Sequence, residues 1–271
     1  MKLIFKSFIG FFRDDGPLLA GAIAYFFLMS LVPFCLSLIT LFGYFLGENK
    51  AFYEFFSARL IRFFPAATSD ISRELAAVVT YQQIGFVTLI VYILFSYQFY
   101  LALDGAVHLI FREKKKKSFL SSLVRAFFIF TLIALFIIVS FVATSFLHML
   151  KPAVASLTGL EIGIVTSFLI RFVIPVLFIF LMATTLYALL PVKRPALRDA
   201  LWGGLFTAIF LEGARHLFTI YVVTTAPQFG AVYGSLSSFV IVLLWMYYSA
   251  CIFLIGAEIV NLLRTSRGRT P

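Results

Sequence analysis

The stretch Ala200–Tyr221, ALWGGLFTAIFLEGARHLFTIY, decides how this chain is read. It is long and apolar enough for a membrane span, yet Glu212, Arg215 and His216 lie inside it. Charges at bilayer depth are costly and usually face a protein interior or a wet cavity. On a helix, Glu212 stands three residues from Arg215 and four from His216, so one face can carry all three. The expectation is a bundle whose other spans hide that polar face from lipid.

Composition agrees. Of 271 residues, 62% are hydrophobic, 13% are charged and 35 are phenylalanine, more than a soluble core of this size can hide. This composition marks a polytopic membrane protein. Backbone groups in lipid must be satisfied internally, and long apolar runs without strict alternation favour helices over a barrel. The fold class is therefore all-α: six transmembrane helices with short amphipathic surface helices, residues 1–271 forming one membrane domain.

Outward from the deciding stretch, the spans are placed at 18–46, 84–110, 120–149, 162–190, 199–221 and 233–263. Residues 1–13 read as an amphipathic piece in the cytoplasmic headgroup region, with Lys2, Lys6, Gly10 and Arg13 on one side. Asp14-Asp15-Gly16-Pro17 ends it. Residues 48–83 read as an outer loop holding two short surface helices. Val222–Val232, with Pro227 and Gly230, reads as a second outer loop. The net charge of +10 follows the positive-inside pattern. Of 22 Lys and Arg residues, 15 fall on the assigned inner side, five on the outer side, and Arg171 and Arg215 within spans. Both termini are expected in the cytoplasm of a bacterial inner membrane. The basic residues are expected to meet anionic lipid headgroups, not nucleic acid. Cys35 and Cys251 fall toward opposite leaflets, so no disulfide is expected.

At about 1.5 Å per residue, Arg171 and Glu212 reach similar depth in the outer half of the bilayer. The candidate substrate-binding set is Arg171, Glu212, Arg215 and His216. A closed ion pair that fixes helix register and a net-positive cavity for a lipid phosphate or carboxylate both fit it. Pro33 and Pro175 are candidate hinges, each within a span of a three-helix half. Ser30 is expected to help satisfy the carbonyl that Pro33 leaves. Gly203, Gly204 and Gly213 should allow close helix approach. Asp104 and Glu258 read as charges near the inner interface. No catalytic residue, cofactor or metal site is expected. The three histidines lie on different spans, and no His-Glu-x-x-His pattern occurs.

Two motifs carry a likeness. One runs from Ala20 through Tyr25, Ser30 and Pro33. The other runs from Tyr233-Gly234 through Trp245 to Gly256 and Glu258. With Leu189-Leu190-Pro191 and Trp202-Gly203-Gly204, they resemble the YihY/BrkB family of bacterial inner-membrane proteins. The resemblance implies six spans and cytoplasmic termini. Members have carried the label ribonuclease BN, and others are linked to serum resistance or envelope lipids. Short basic inner loops offer no acid or histidine cluster, so ribonuclease activity is not expected here. Two readings stand: transport or flipping of an anionic amphiphile such as an envelope lipid, and a scaffold for an envelope complex. The second leaves room for a homo-oligomer or a protein partner.

Overall fold

A computed structural model describes residues 2–30, 82–113, 172–233 and 237–267. Six helices lie among them: α1 (Lys2–Arg13), α2 (Gly16–Ser30), α3 (Gln82–Ile110), α4 (Ile174–Leu189), α5 (Leu197–Tyr233) and α6 (Ser237–Ser266). No strand occurs among the described residues. Among the described residues, three stretches are long and apolar enough to cross a membrane: Ile90–Ile110, Leu197–Thr225 and Phe239–Ser266. Helices α2 and α4 are shorter and apolar. Pro33, Cys35, Arg171, Gly234, the outer loop through Tyr81, the third span and most of the fourth lie outside the described residues.

The chain divides into two compact units. The first holds Met1–Gly16, Asp104–Ala214 and Cys251–Pro271; the second holds Pro17–Leu103 and Arg215–Ala250. Without water, apolar area drives little helix association inside lipid, so close backbone approach must supply the contact. The first unit does this with small residues. A Cβ on Gly203 would strike Val260, and one on Gly204 would strike Thr184. One on Gly256 would strike Thr207 and the Tyr187 hydroxyl. The expected role of Gly203 and Gly204 thus holds, while among the described residues none approaches a Cβ at Gly213 within 4 Å. Tyr187 is fully buried at this seam. Its hydroxyl donates to the Phe253 carbonyl at 2.7 Å and bonds the Thr207 hydroxyl at 2.7 Å. Its ring stacks on Phe253 at 4.8 Å.

In the second unit, α2 buries Ala20, Ile23, Ala24 and Leu28, a stripe at helical spacing. Phe27 meets Phe99 of α3 edge-on at 5.4 Å. Along α5, Trp202, Leu205 and Ile209 in the first unit and Leu217, Ile220 and Val223 in the second are exposed, each set at three- to four-residue spacing. Each set is a lipid-facing stripe.

Helix α5 corrects one expectation. Val222–Val232 is not a loop: the helix continues to Tyr233 for 37 residues. In a lipid setting the chain keeps its backbone bonds within the helix even at proline. The turn before Pro227 is reinforced by threonine hydroxyls. Thr224 Oγ1 donates to Ile220 and Tyr221 carbonyls, and Thr225 Oγ1 to Tyr221. At about 1.5 Å per residue the helix measures about 55 Å, so part of it stands clear of a core about 30 Å thick. Ser30 Oγ donates to the Phe27 carbonyl at 2.7 Å. Pro175 stands in the first turn of α4, directly after a wide turn at Phe172–Val173.

Candidate functional site

Three polar constructions stand out, two in the first unit and one in the second. The most fully bonded lies where α3 ends. Arg112 takes a left-handed conformation (φ 53°), and the Glu113 N–H reaches back to the His108 carbonyl at 3.0 Å. This is a Schellman-type stop without glycine. It turns Glu113 toward the 190–193 turn. The carboxylate accepts the backbone N–H of Val192 at 2.7 Å and of Lys193 at 3.0 Å. Arg264 of α6 donates to the same carboxylate at 3.0 Å and to the Lys193 carbonyl at 3.2 Å. It also donates to the Phe111 carbonyl at 3.1 Å and lies over the Phe111 ring at 4.8 Å. Asn261 Nδ2 donates to the Ile110 carbonyl at 2.8 Å. The last carbonyls of α3, which have no partner inside the helix, thus receive donors, and a cation sits at the negative end of its dipole.

This lock was not foreseen. Glu113 stands in the charged run Arg112–Lys117 and Arg264 directly after the apolar run that ends at Leu263, so neither reads as interior in the sequence. Both side chains are buried, at 8% exposure for Arg264 and 7% for Glu113. Helix α6 continues past Leu263 to Ser266, which carries Arg264 inward. The available signal was Asn261 and Arg264, two polar residues three apart on an otherwise apolar helix.

The second construction joins α1 to α6. Glu258 is 2% exposed and lies against Gly10, so a Cβ at Gly10 would stand 3.0 Å from its carboxylate. Glu258 is therefore buried within the protein, and Gly10 faces inward, not with the lysines. Asp14 and Arg13 both act on Glu258. Asp14 also meets Arg13 at 3.2 Å and Arg112 at 3.7 Å. Asp104, expected near the interface, is likewise fully buried, with its carboxylate 3.6 Å from His108. His108 Nδ1 bonds the Asp104 carbonyl at 2.7 Å. Asp199 is buried and paired with Arg267.

The third is a groove of about 210 Å³ in the second unit, between α5 and α6. Arg215, Phe218, Thr219, Ile241, Val242 and Trp245 line it. Trp245 and Phe218 are in tilted contact at 5.1 Å. The lining is apolar and aromatic around one guanidinium and one hydroxyl. Such a surface suits an anionic head on an apolar body.

Of the proposed intramembrane set, Glu212, Arg215 and His216 stand within about one turn of α5. Glu212 is 3% exposed and extends the buried i, i+4 stripe of Ala200, Gly204 and Ala208 in the first unit. Arg215 is half-buried in the second unit, and His216 is exposed. Arg171 lies outside the described residues. Among the motif residues, Tyr25 is exposed against Phe26, Ser30 caps inward, Gly256 holds the Tyr187 seam and Trp245 lines the groove. Tyr233 ends α5. Among the described residues, no cluster of three metal-type ligands occurs.

Comparison with known proteins adds the family. The chain is 31% identical over 258 residues to a UPF0761 membrane protein of Aliivibrio salmonicida, covering 91% of this chain and 78% of that protein. It is 30% identical to one from Cronobacter sakazakii, covering 91% and 83%, and 27% identical to one from Haemophilus influenzae, covering 90% and 88%. No solved structure matches. The family model described as Virulence factor BrkB matches residues 7–270, and the chain belongs to that family of membrane proteins.

Proposed function

We propose that this protein moves an anionic amphiphile, an envelope lipid first among them, across or within the bacterial inner membrane. The observation that carries the reading is the groove: one guanidinium, Arg215, among Phe218, Trp245, Ile241 and Val242 on helices that are apolar enough to span. A guanidinium among apolar walls suits a ligand that joins an anionic group to an apolar body. A lipid phosphate supplies the anion, and its acyl chains supply apolar contact. The architecture that goes with this reading has six spans and both termini on the cytoplasmic side. The inward bias of Lys and Arg supports it.

Mass spectrometry of what co-purifies in mild detergent tests the reading. Wild type should retain a specific anionic lipid that folded Arg215→Gln has lost. The same variant in liposomes should then move a fluorescent anionic lipid more slowly than wild type. If wild type and variant carry the same bulk lipid and move the probe equally, the reading fails.

A further inference from the structure

We infer that α1 is a leaflet-binding helix whose ligand is the anionic lipid surface, held in fixed rotation by the contact of Gly10 with Glu258. The helix has two distinct faces. Ser7, Gly10 and Phe11 are buried, at 0% for Ser7 and 3% for Phe11. Ile4, Phe5, Phe8, Ile9 and Phe12 are exposed, with Phe5 at 69% and Phe12 at 59%. Phe8 and Phe12 touch each other at 5.8 Å, and Phe12 meets Phe11 at 5.3 Å, so the exposed rings form one layer.

Water is a poor solvent for five large apolar side chains on a twelve-residue helix. Lys6 and Arg13 are exposed beside them. Apolar rings flanked by cations fit the boundary of an anionic leaflet, where rings enter the acyl region and cations meet phosphates. A second copy of this face would instead bring the same cations together, which favours lipid over self-association. The rotation is fixed from the inside. A Cβ at position 10 would stand 3.0 Å from the Glu258 carboxyl, closer than side chains usually come, so glycine suits the contact of α1 with Glu258. Asp14, tied to Arg13 and Arg112, and Asp15, in the left-handed region at φ 54°, set the end of the helix. Sequence reading alone put Gly10 among the outward cations, which would have turned the aromatic layer elsewhere.

The test uses the full chain in liposomes, with and without phosphatidylglycerol. A polarity-sensitive fluorophore is attached to Phe8→Cys or, separately, to Phe12→Cys, in a background with Cys35 and Cys251 changed to serine. Arg194→Cys, exposed on the turn before α5, serves as the aqueous reference. Brominated acyl chains should quench labels 8 and 12 strongly and leave label 194 bright, while aqueous iodide should do the reverse. Adding Lys6→Glu should weaken acyl-chain quenching in the phosphatidylglycerol liposomes and leave it unchanged in neutral ones. Iodide quenching of labels 8 and 12 would overturn the inference, because the face would then be in water. Shielding from both quenchers would overturn it too, because protein would then cover the face. These outcomes do not involve Arg215, so they stand or fall apart from the proposed transport.

Discussion

In the first unit, Glu113 accepts two backbone N–H groups and a guanidinium, and every glycine at the seam is filled by a neighbour's side chain. In the second, Arg215 lines a groove with aromatic and branched walls. The same helices, α5 and α6, build both regions. What differs is the side chains they place at their facing surfaces. Glycine and threonine on α5, with glycine on α6, let backbones close until a tyrosine hydroxyl fills the remaining space. Phe218, Ile241, Val242 and Trp245 are too large for that and keep the helices apart. A close-packed seam resists change because each contact depends on its neighbours. A groove between bulky residues tolerates change and can accept a ligand.

The largest effect should come from breaking the lock. Glu113→Ala leaves Arg264 buried without its carboxylate and strips two backbone donors of their acceptor. Removing one partner of a buried pair costs about 3–5 kcal/mol. Thermal unfolding in detergent should show a large drop in the midpoint. Glu113→Ala combined with Arg264→Met should recover part of the loss, since no unpaired charge then remains. If Glu113→Ala costs as little as an exposed pair, about 1 kcal/mol or less, the contrast between the units loses its energetic basis.

Next comes the seam. Gly256→Ala forces a methyl group onto the Tyr187 hydroxyl and Thr207, an overpacking that costs about 1–3 kcal/mol. Tyr187→Phe keeps the ring and removes the hydroxyl that serves Phe253 and Thr207. The expected loss is smaller, about 1 kcal/mol. Denaturant unfolding of the two variants side by side ranks them. An equal or larger effect for Tyr187→Phe would mean that the hydrogen bond, not the close approach, holds the seam.

The sequence displayed the seam more clearly than the lock. Gly203-Gly204 and Gly256 on apolar runs announce close approach, because nothing else explains glycine where helix propensity disfavours it. The amphipathic α1 and its Asp14-Asp15 stop were legible for the same reason: periodicity and breakers are local. Glu113 was not. It stands in a run of charges, and only the left-handed turn at Arg112 directs it inward. The burial of Glu258 was not legible either, because sequence depth says nothing about a neighbour as small as Gly10. Pro227 misled in the opposite direction. The helix persisted through it, and threonine hydroxyls bond back to carbonyls in the turn before it. Of the candidate site, sequence singled out Glu212, Arg215 and Trp245 by charge at depth or by motif. It did not show that Glu212 continues a packed stripe while Arg215 opens onto a groove, because that depends on what α6 presents opposite each.

The smallest effect on stability should accompany the sharpest effect on ligand. Thr219 is exposed at the groove, and its hydroxyl only bonds back to the Arg215 carbonyl at 2.8 Å. Thr219→Trp places a large ring in the groove without touching the Tyr187 seam or the Glu113 lock. Substitutions away from packed features usually change stability by about 0.5 kcal/mol or less. The variant should therefore unfold at the wild-type midpoint and retain much less co-purifying anionic lipid. Thr219→Ser, which keeps the groove open, should behave as wild type in both measurements. This pair separates space from charge, since Arg215 is present in each. Full lipid retention by Thr219→Trp would show that the groove volume is not what the lipid occupies. A large loss of stability would show that the second unit is as tightly packed around position 219 as the first is around Tyr187.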